Sequence, residues 1–380
     1  MIIRNAKILD DEFKFINADI KFDERITDIS ENLCDDEIFD AEGCYVIPGL
    51  IDTHIHSCMG RSIAEGTQEA FDVMSECQAK HGTTSLCMTL SCMSRQFTIE
   101  TAKGYAKAIK NGGKYARYVG MHFEGPFIAK AATGAAKDGA ASTPNVEELT
   151  EYIEAADDNI KIMTVAPEAE NLECLIPLAK EHGISLSAGH TQADFATAKK
   201  AFAMGVERAT HTFNAMTGLH HRNPGVVGAI LDTPEVEAEL ICDFFHVEPA
   251  VVKIMFAVKG ADKITMVSDA EVGAGMPDGR YYGSSERYLN VKNGRTYTDD
   301  GIICGGTSFL IDGVRNLVSI GIPLEDAVKT ASWNPARAVR REKDLGSLAV
   351  GKLSDMLLLD KDLNIVKVIV GGKEIFRHLR

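Results

Sequence analysis

The sequence lacks any run approaching about 18 uninterrupted apolar residues, so no membrane-spanning helix is expected. It also lacks basic charge: 40 Lys and Arg stand against 55 Asp and Glu, a formal net charge of −15. That balance argues against non-specific binding to nucleic acid or to anionic membranes. A phosphate-bearing ligand would need a few local basic groups to overcome this acidic background. The opening MIIRNAKILDDEFKF has no apolar core of the kind a secretory leader needs, because acidic residues interrupt it. Cys-x-x-Cys pairs are missing as well. The nine cysteines are odd in number and scattered, mostly through apolar segments. Buried reduced thiols in a cytoplasmic protein are expected, rather than a disulfide framework or structural zinc.

With 380 residues, 45% of them hydrophobic, the chain can bury one large core beside a smaller appendage. Both ends read as short strands with turn chemistry between them. The first 46 residues carry turns at Asp10-Asp11, Asp23-Glu24 and Glu42-Gly43, and the C-terminal stretch turns at Lys361-Asp362 and Gly371-Gly372. We expect one small β-sandwich domain built from residues 1–46 and 346–380.

The middle, residues 47–345, alternates between strand and helix. Strand candidates are 46–53, 83–90, 117–123, 160–166, 184–189, 207–210, 237–242 and 263–268. Helical patterns fall at 67–82, 143–157, 171–183 and 193–205, with Thr67, Thr143 and Asp194 as starts and Gly82, Gly183 and Gly205 as stops. The link 206–236 reads mostly as loop. Eight strands in such alternation predict a (β/α)8 TIM-type barrel. A doubly wound open sheet is the other candidate, and the missing Gly-x-Gly-x-x-Gly after the first strand counts against it.

Polar residues gather where these strands end. LIDTHIHS places His54 and His56 two apart, so both imidazoles face one side of a strand. The third strand ends in His122 and Glu124, the fifth in His190, the sixth in His211, the seventh in Asp243 and the eighth in Asp269. Taken singly, each has a plain reading: a hydrogen-bonded core histidine, a turn, a cap. Together, His, Glu, His, His and Asp at the C-terminal ends of strands one, three, five, six and eight converge on one barrel mouth. Neutral imidazoles and a carboxylate make a zinc-type or iron-type site with room for water. An Asp beside it can move a proton from water to a leaving amine. The chemistry expected is metal-assisted hydrolysis of an amide or related C–N bond.

The stretches PGLIDTHIHS, MHFEGPFI, SAGHT, ATHTFNAMTGLHHRNPGVVGAIL, ICDFFHVEP, MVSDA and GGTSFLIDGVRNLV give the chain its resemblance to a known family. The chain resembles the amidohydrolase superfamily, and within it the N-acetylglucosamine-6-phosphate deacetylases, nearly end to end. The resemblance implies deacetylation of N-acetyl-D-glucosamine 6-phosphate to D-glucosamine 6-phosphate and acetate, in amino-sugar catabolism. It implies Glu124, His190 and His211 as ligands of the main divalent metal, with zinc first and iron or manganese as alternatives. His54 and His56 resemble relatives that keep a second metal position, and Asp269 matches the general acid/base. Asn214, the Ala215 amide, Arg222 and His246 match contacts to the sugar phosphate, while Ala135 and the Ile303, Cys304, Gly305 stretch match residues lining the sugar. It further implies a homodimer in which Arg222 reaches the neighbouring active site.

One step departs from the family. After EGPFI, Gly134 and Ala135 fit, but the next position, usually polar, is Ala136, followed by Lys137. Lys137 or a second metal takes over its part, or the substrate differs. Other activities on the same scaffold stay open: an N-acetylgalactosamine 6-phosphate deacetylase, a cyclic-amide hydrolase, a dipeptidase, or a non-catalytic relative. No lysine ends the fourth strand (TVAPEAE) for carboxylation as a metal bridge, which counts against the hydantoinase branch.

Overall fold

The computed structural model of the chain describes residues 1–133, 140–284 and 287–378. Eight parallel strands form one sheet in chain order: Leu50–Ile55, Thr83–Leu90, Arg117–Glu124, Ile160–Val165, Ser185–Ala188, Arg208–Ala209, Glu237–Ile241 and Ile264–Val267. The first and last meet through a parallel bridge between Ile55 and Ala270. There the Asp269 N–H donates to the His54 carbonyl at 2.9 Å, and the His56 N–H to the Ala270 carbonyl at 3.0 Å. Asp52, fully buried, bolts the same seam by accepting from the Ser268 hydroxyl and, at 3.3 Å, the Ser268 N–H. Burial pushes its carboxyl up to about 6 despite those bonds. The expected barrel is present, and Asp52 is part of its closure.

The apolar run expected as one strand over 46–53 divides at Gly49. Tyr45–Pro48 pairs with terminal strands, and Leu50–Ile55 enters the barrel. A Cβ at Gly49 would lie 2.1 Å from Thr84 Oγ1, so only glycine lets the chain cross from one sheet to the other there. Helices cover the barrel by ordinary means. In Gln68–Lys80, capped by Thr67 through the Ala70 N–H, Phe71, Met74 and Cys77 recur at helical spacing and are buried. The start expected at Thr143 falls instead at Asn145, the stronger cap, which accepts from the Glu148 N–H at 3.1 Å. The link 206–236 holds a short buried helix, Gly225–Leu231.

The terminal strands form a separate β domain. Ile2–Leu9 pairs with Phe15–Phe22 along one edge, and with both Ile38–Asp40 and Tyr45–Pro48 along the other, so the sheet forks there. Met356–Leu359, Ile365–Val370 and Lys373–Arg377 continue it from the C-terminus. Period-2 alternation serves two cores. Ile8, Val46, Met356 and Leu358 pack within the domain, while Leu9, Ile47, Leu357 and Leu359 pack toward the barrel. No disulfide joins the cysteines among the described residues. No helix among the described residues is long and apolar enough to cross a membrane.

Candidate metal centre and active site

The C-terminal ends of the strands deliver one continuous polar cluster. Glu124 sits at its middle: its Oε1 lies 2.9 Å from His190 Nε2, 3.0 Å from His211 Nε2 and 3.4 Å from His54 Nε2. Its Oε2 lies 3.4 Å from His56 Nε2. Asp269 Oδ1 stands 3.4 Å from His54 Nε2 and 3.3 Å from His56 Nε2. Two adjacent triads result, Glu124–His190–His211 and His54–His56–Asp269, all of them buried. His190, His211 and Asp269 have φ of 48°, 27° and 48°, a left-handed backbone rare outside glycine that marks the strand ends as constrained.

Hydrogen bonds at the far side of three of the rings decide which nitrogen faces inward. His54 Nδ1 donates to Glu239 at 3.1 Å, His56 Nδ1 to the Thr89 carbonyl at 3.1 Å, and His190 Nδ1 to the Ala132 carbonyl at 2.7 Å. Each of these three rings therefore turns the lone pair of Nε2 into the centre, where His54 Nε2 and His56 Nε2 lie 3.2 Å apart and His190 Nε2 lies 3.1 Å from His211 Nε2; His211 Nδ1 has no hydrogen-bond partner among the described residues. Lone pairs so close, braced from behind by carbonyls and a carboxylate, are what metal-bound imidazoles require. The electrostatics agree. Burial opposes charge throughout the cluster. Even so, Asp269 and Glu124 hold the His54 pKa well above its ordinary value, and the histidines hold Glu124 well below the carboxylate range. Asp269 is likewise held far down. The cluster keeps its carboxylates ionised and draws in positive charge. A divalent cation bound by imidazole and carboxylate fits this residue set.

His122, which also ends the third strand, turns away from the centre. It is held between the Thr53 carbonyl at 3.2 Å and the Thr164 hydroxyl at 2.8 Å, and burial pushes it down to about 3, so it stays neutral. Asp243 accepts from His246 Nδ1 at 2.7 Å and from the Phe245 and His246 N–H groups, fixing the His246 ring.

A cavity of about 270 Å³ opens above the cluster, bordered by Glu124, His190, His211 and Asp269. Asn214, Ala215, His246, Ile303, Cys304 and Gly305 border the same cavity. The buried Nε2 of His246 has no hydrogen-bond partner among the described residues. Gly305 has φ of 65°, and a Cβ there would come 2.7 Å from the Asp269 carbonyl. Arg222 does not border the cavity. It lies on an exposed loop with Nη1 2.9 Å from His221 Nε2. No described residue lining the cavity is Lys or Arg. Ala135, Ala136 and Lys137 lie outside the described residues.

Sequence reasoning missed Glu239, and it missed Glu271, Ser284 and Ser91 in the cavity wall. Ser284 donates to Glu271, and Ser91 Oγ lies 3.0 Å from His56 Nδ1. Glu237 and Glu239 alternate in EAELIC as an exposed strand face would, which hides the second. Ser284 follows Gly279–Tyr282, the first of three short strands with Tyr288–Lys292 and Arg295–Tyr297, whose sequences carry no strong strand signal.

Barrel, terminal β domain and histidine–carboxylate centre together define a class of metal-dependent hydrolases. Residues 45–375 match the model of the Amidohydrolase family, and the chain belongs to that family. The N-acetylglucosamine-6-phosphate deacetylase of Vibrio furnissii is 33% identical over 332 residues, 87% of this chain and 83% of that protein. The N-acetylgalactosamine-6-phosphate deacetylase of Escherichia coli O157:H7 is 30% identical over 86% of each chain. The solved N-acetylglucosamine-6-phosphate deacetylase from Thermotoga maritima is similar with a TM-score of 0.89 at 32% identity, over 100% of both chains.

Proposed function

We propose that the chain is a deacetylase that hydrolyses N-acetyl-D-glucosamine 6-phosphate to D-glucosamine 6-phosphate and acetate. The observation that carries this reading is the Glu124-centred cluster with Asp269 beneath a cavity, in a chain whose relatives of near-full length are deacetylases of such sugars. Glu124, His190 and His211 would hold the main divalent ion, and His54, His56 and Asp269 a second. The ion supplies Lewis acidity, polarising a carbonyl and acidifying water. Zinc suits the donor set best, with iron or manganese as alternatives.

The chain's own part is proton movement and positioning. Asp269, ionised among its histidines, takes the proton of the attacking water and returns it to the departing amine nitrogen. Water thus adds across the C–N bond, its oxygen to the acetyl carbon and its proton to nitrogen. His246, held by Asp243, offers Nε2 to the sugar, and the Ile303–Gly305 backbone borders it. Asn214 and the Ala215 amide take part of the phosphate.

The remaining phosphate contact is Arg222 from a second copy of the chain, in a homodimer. A cavity with no described Lys or Arg in its wall, and an Arg on a projecting loop outside it, support that arrangement. Mixing inactive Arg222→Ala with inactive Asp269→Asn subunits tests it. One hybrid site then carries both defects and the other neither, so activity is expected to return in part; proven exchange without recovery places Arg222 elsewhere. Nine cysteines with no disulfide among the described residues suit a reducing compartment, and we place the enzyme in the cytoplasm.

Acetate release from a panel of sugars tests the reaction. N-acetylglucosamine 6-phosphate is expected to turn over fastest, with the unphosphorylated sugar poor. Preference for the galacto epimer would move the chain to its other relatives' activity, and no acetate from any of them would refute the reading.

A further inference from the structure

Glu239 is fully buried on the seventh barrel strand, at 0% exposure, and borders no part of the cavity. Its Oε2 accepts the Nδ1–H of His54 at 3.1 Å and the backbone N–H of His211 at 3.3 Å. Its Oε1 has no hydrogen-bond partner among the described residues, and its only ion-pair neighbour there is His54. A carboxylate buried this deeply with half its accepting capacity unused is costly unless positive charge compensates it. Two explanations offer themselves. His54, His122 and Glu239 stand close enough to form an inner metal triad. Yet both ring nitrogens of His122 are already taken, by the Thr53 carbonyl and the Thr164 hydroxyl, and the His54 nitrogen facing Glu239 is the protonated one. The other explanation is charge relayed through His54 from an ion on its far side.

We propose that Glu239 is the positioning residue of the second metal position. By holding His54 as the Nδ1–H tautomer it aims Nε2 at His56 and Asp269, and it makes that imidazole a more basic ligand. The ion bound there is in turn what compensates the buried carboxylate. His56 Nδ1 leans on the Thr89 carbonyl and the Ser91 hydroxyl and His190 Nδ1 on the Ala132 carbonyl, all neutral, so of these three rings His54 is the one braced by a carboxylate. The inference rests on the two-position reading given above.

The test is a zinc titration of the chelator-treated, full-length protein against a competing indicator, with bound zinc counted by elemental analysis. Wild type is expected to show two affinities. Glu239→Gln, which keeps an accepting oxygen but not the charge, is expected to weaken the second about 10-fold and spare the first. Glu239→Leu, which removes both, is expected to weaken it toward 100-fold, the upper end for such partners. The cobalt(II) absorption spectrum of each protein should lose intensity in step. If Glu239→Leu fails to fold, Glu239→Gln carries the test alone. A merely structural Glu239 would lower the melting temperature of the metal-free variants and leave the ratio of the two affinities at its wild-type value, which overturns the inference. Wild type binding a single zinc overturns the second position itself, and this inference with it.

Discussion

The two ends of the barrel bury charge in opposite ways. At the N-terminal floor Glu237 and Asp355 face guanidinium groups. Arg208, 2% exposed, binds Glu237 and, at 3.0 Å, the Thr265 hydroxyl, and Arg337 takes the other Glu237 oxygen at 2.7 Å. Arg117 grips Asp355 of the terminal domain through bonds of 2.7 and 3.1 Å. At the mouth, Glu124, Asp269 and Glu239 have no Lys or Arg within ion-pair distance among the described residues, only imidazoles. Balanced charge costs little more than its desolvation and ties the strands together. Unbalanced acids in a buried place create a demand for a cation from outside. The floor serves the fold, and the mouth serves chemistry.

If that division holds, substitutions at the two ends should move different observables. Glu124→Gln removes the carboxylate of one triad, which also lies 3.4 Å from both histidines of the other; it is expected to strip the bound metal and reduce acetate release to background, as metal analysis beside the assay would record. Asp269→Asn should keep at least the metal at Glu124, His190 and His211 and lower kcat at least ~100-fold, about 2.7 kcal/mol of transition-state stabilisation. Wild-type kcat in that variant would end its role as proton carrier. On the floor, Arg208→Met leaves Glu237 with Arg337 alone, and about 2 kcal/mol of stability should go, read by denaturant unfolding. Its surviving folded fraction should keep the wild-type kcat and KM, since nothing at the mouth has changed.

A subtler contrast lies in pH. His54, His56 and His190 titrate above their ordinary 6.5, because Asp269 and Glu124 outweigh the burial that opposes their charge. For the chelated protein, that stabilisation is full below the unfolded value and lost as pH rises through the folded ones. A metal must displace the same protons, so its stabilising effect grows with pH over that range. Melting temperatures between about pH 6 and 8 are expected to fall with pH for the chelated protein and to rise for the zinc-saturated one. Parallel slopes would mean that metal and protons do not compete at these rings.

The mouth was easier to read in the sequence than its support. His54 and His56, Glu124, His190, His211 and Asp269 all end apolar runs, and a parallel barrel converts that position along the chain into nearness in space. The same logic alone does not set apart residues that end strands without facing the centre. Asp52 closes the seam and His122 turns toward Thr164, and only side-chain direction separates them from the ligands. Gly49 hides a passage between sheets inside one apolar run, because the reason for the glycine, the Thr84 side chain, is 35 residues away. Glu239 is hidden for the opposite reason. Alternation with Glu237 reads as a solvated face, whereas one glutamate meets the floor's arginines and the other the back of His54. The terminal domain was legible because its turns carry Asp and Gly at fixed places, as at Lys361-Asp362 and Gly371-Gly372, which join consecutive antiparallel strands.

Anomalous diffraction from crystals of the zinc-saturated protein, recorded on both sides of the zinc edge, addresses the unbalanced mouth without relying on activity. Zinc is expected among Glu124, His190 and His211, with a second peak among His54, His56 and Asp269, and none at the floor. A saturated crystal with no zinc signal at the mouth would contradict the account, since three buried carboxylates would then stand without the cation that their burial demands.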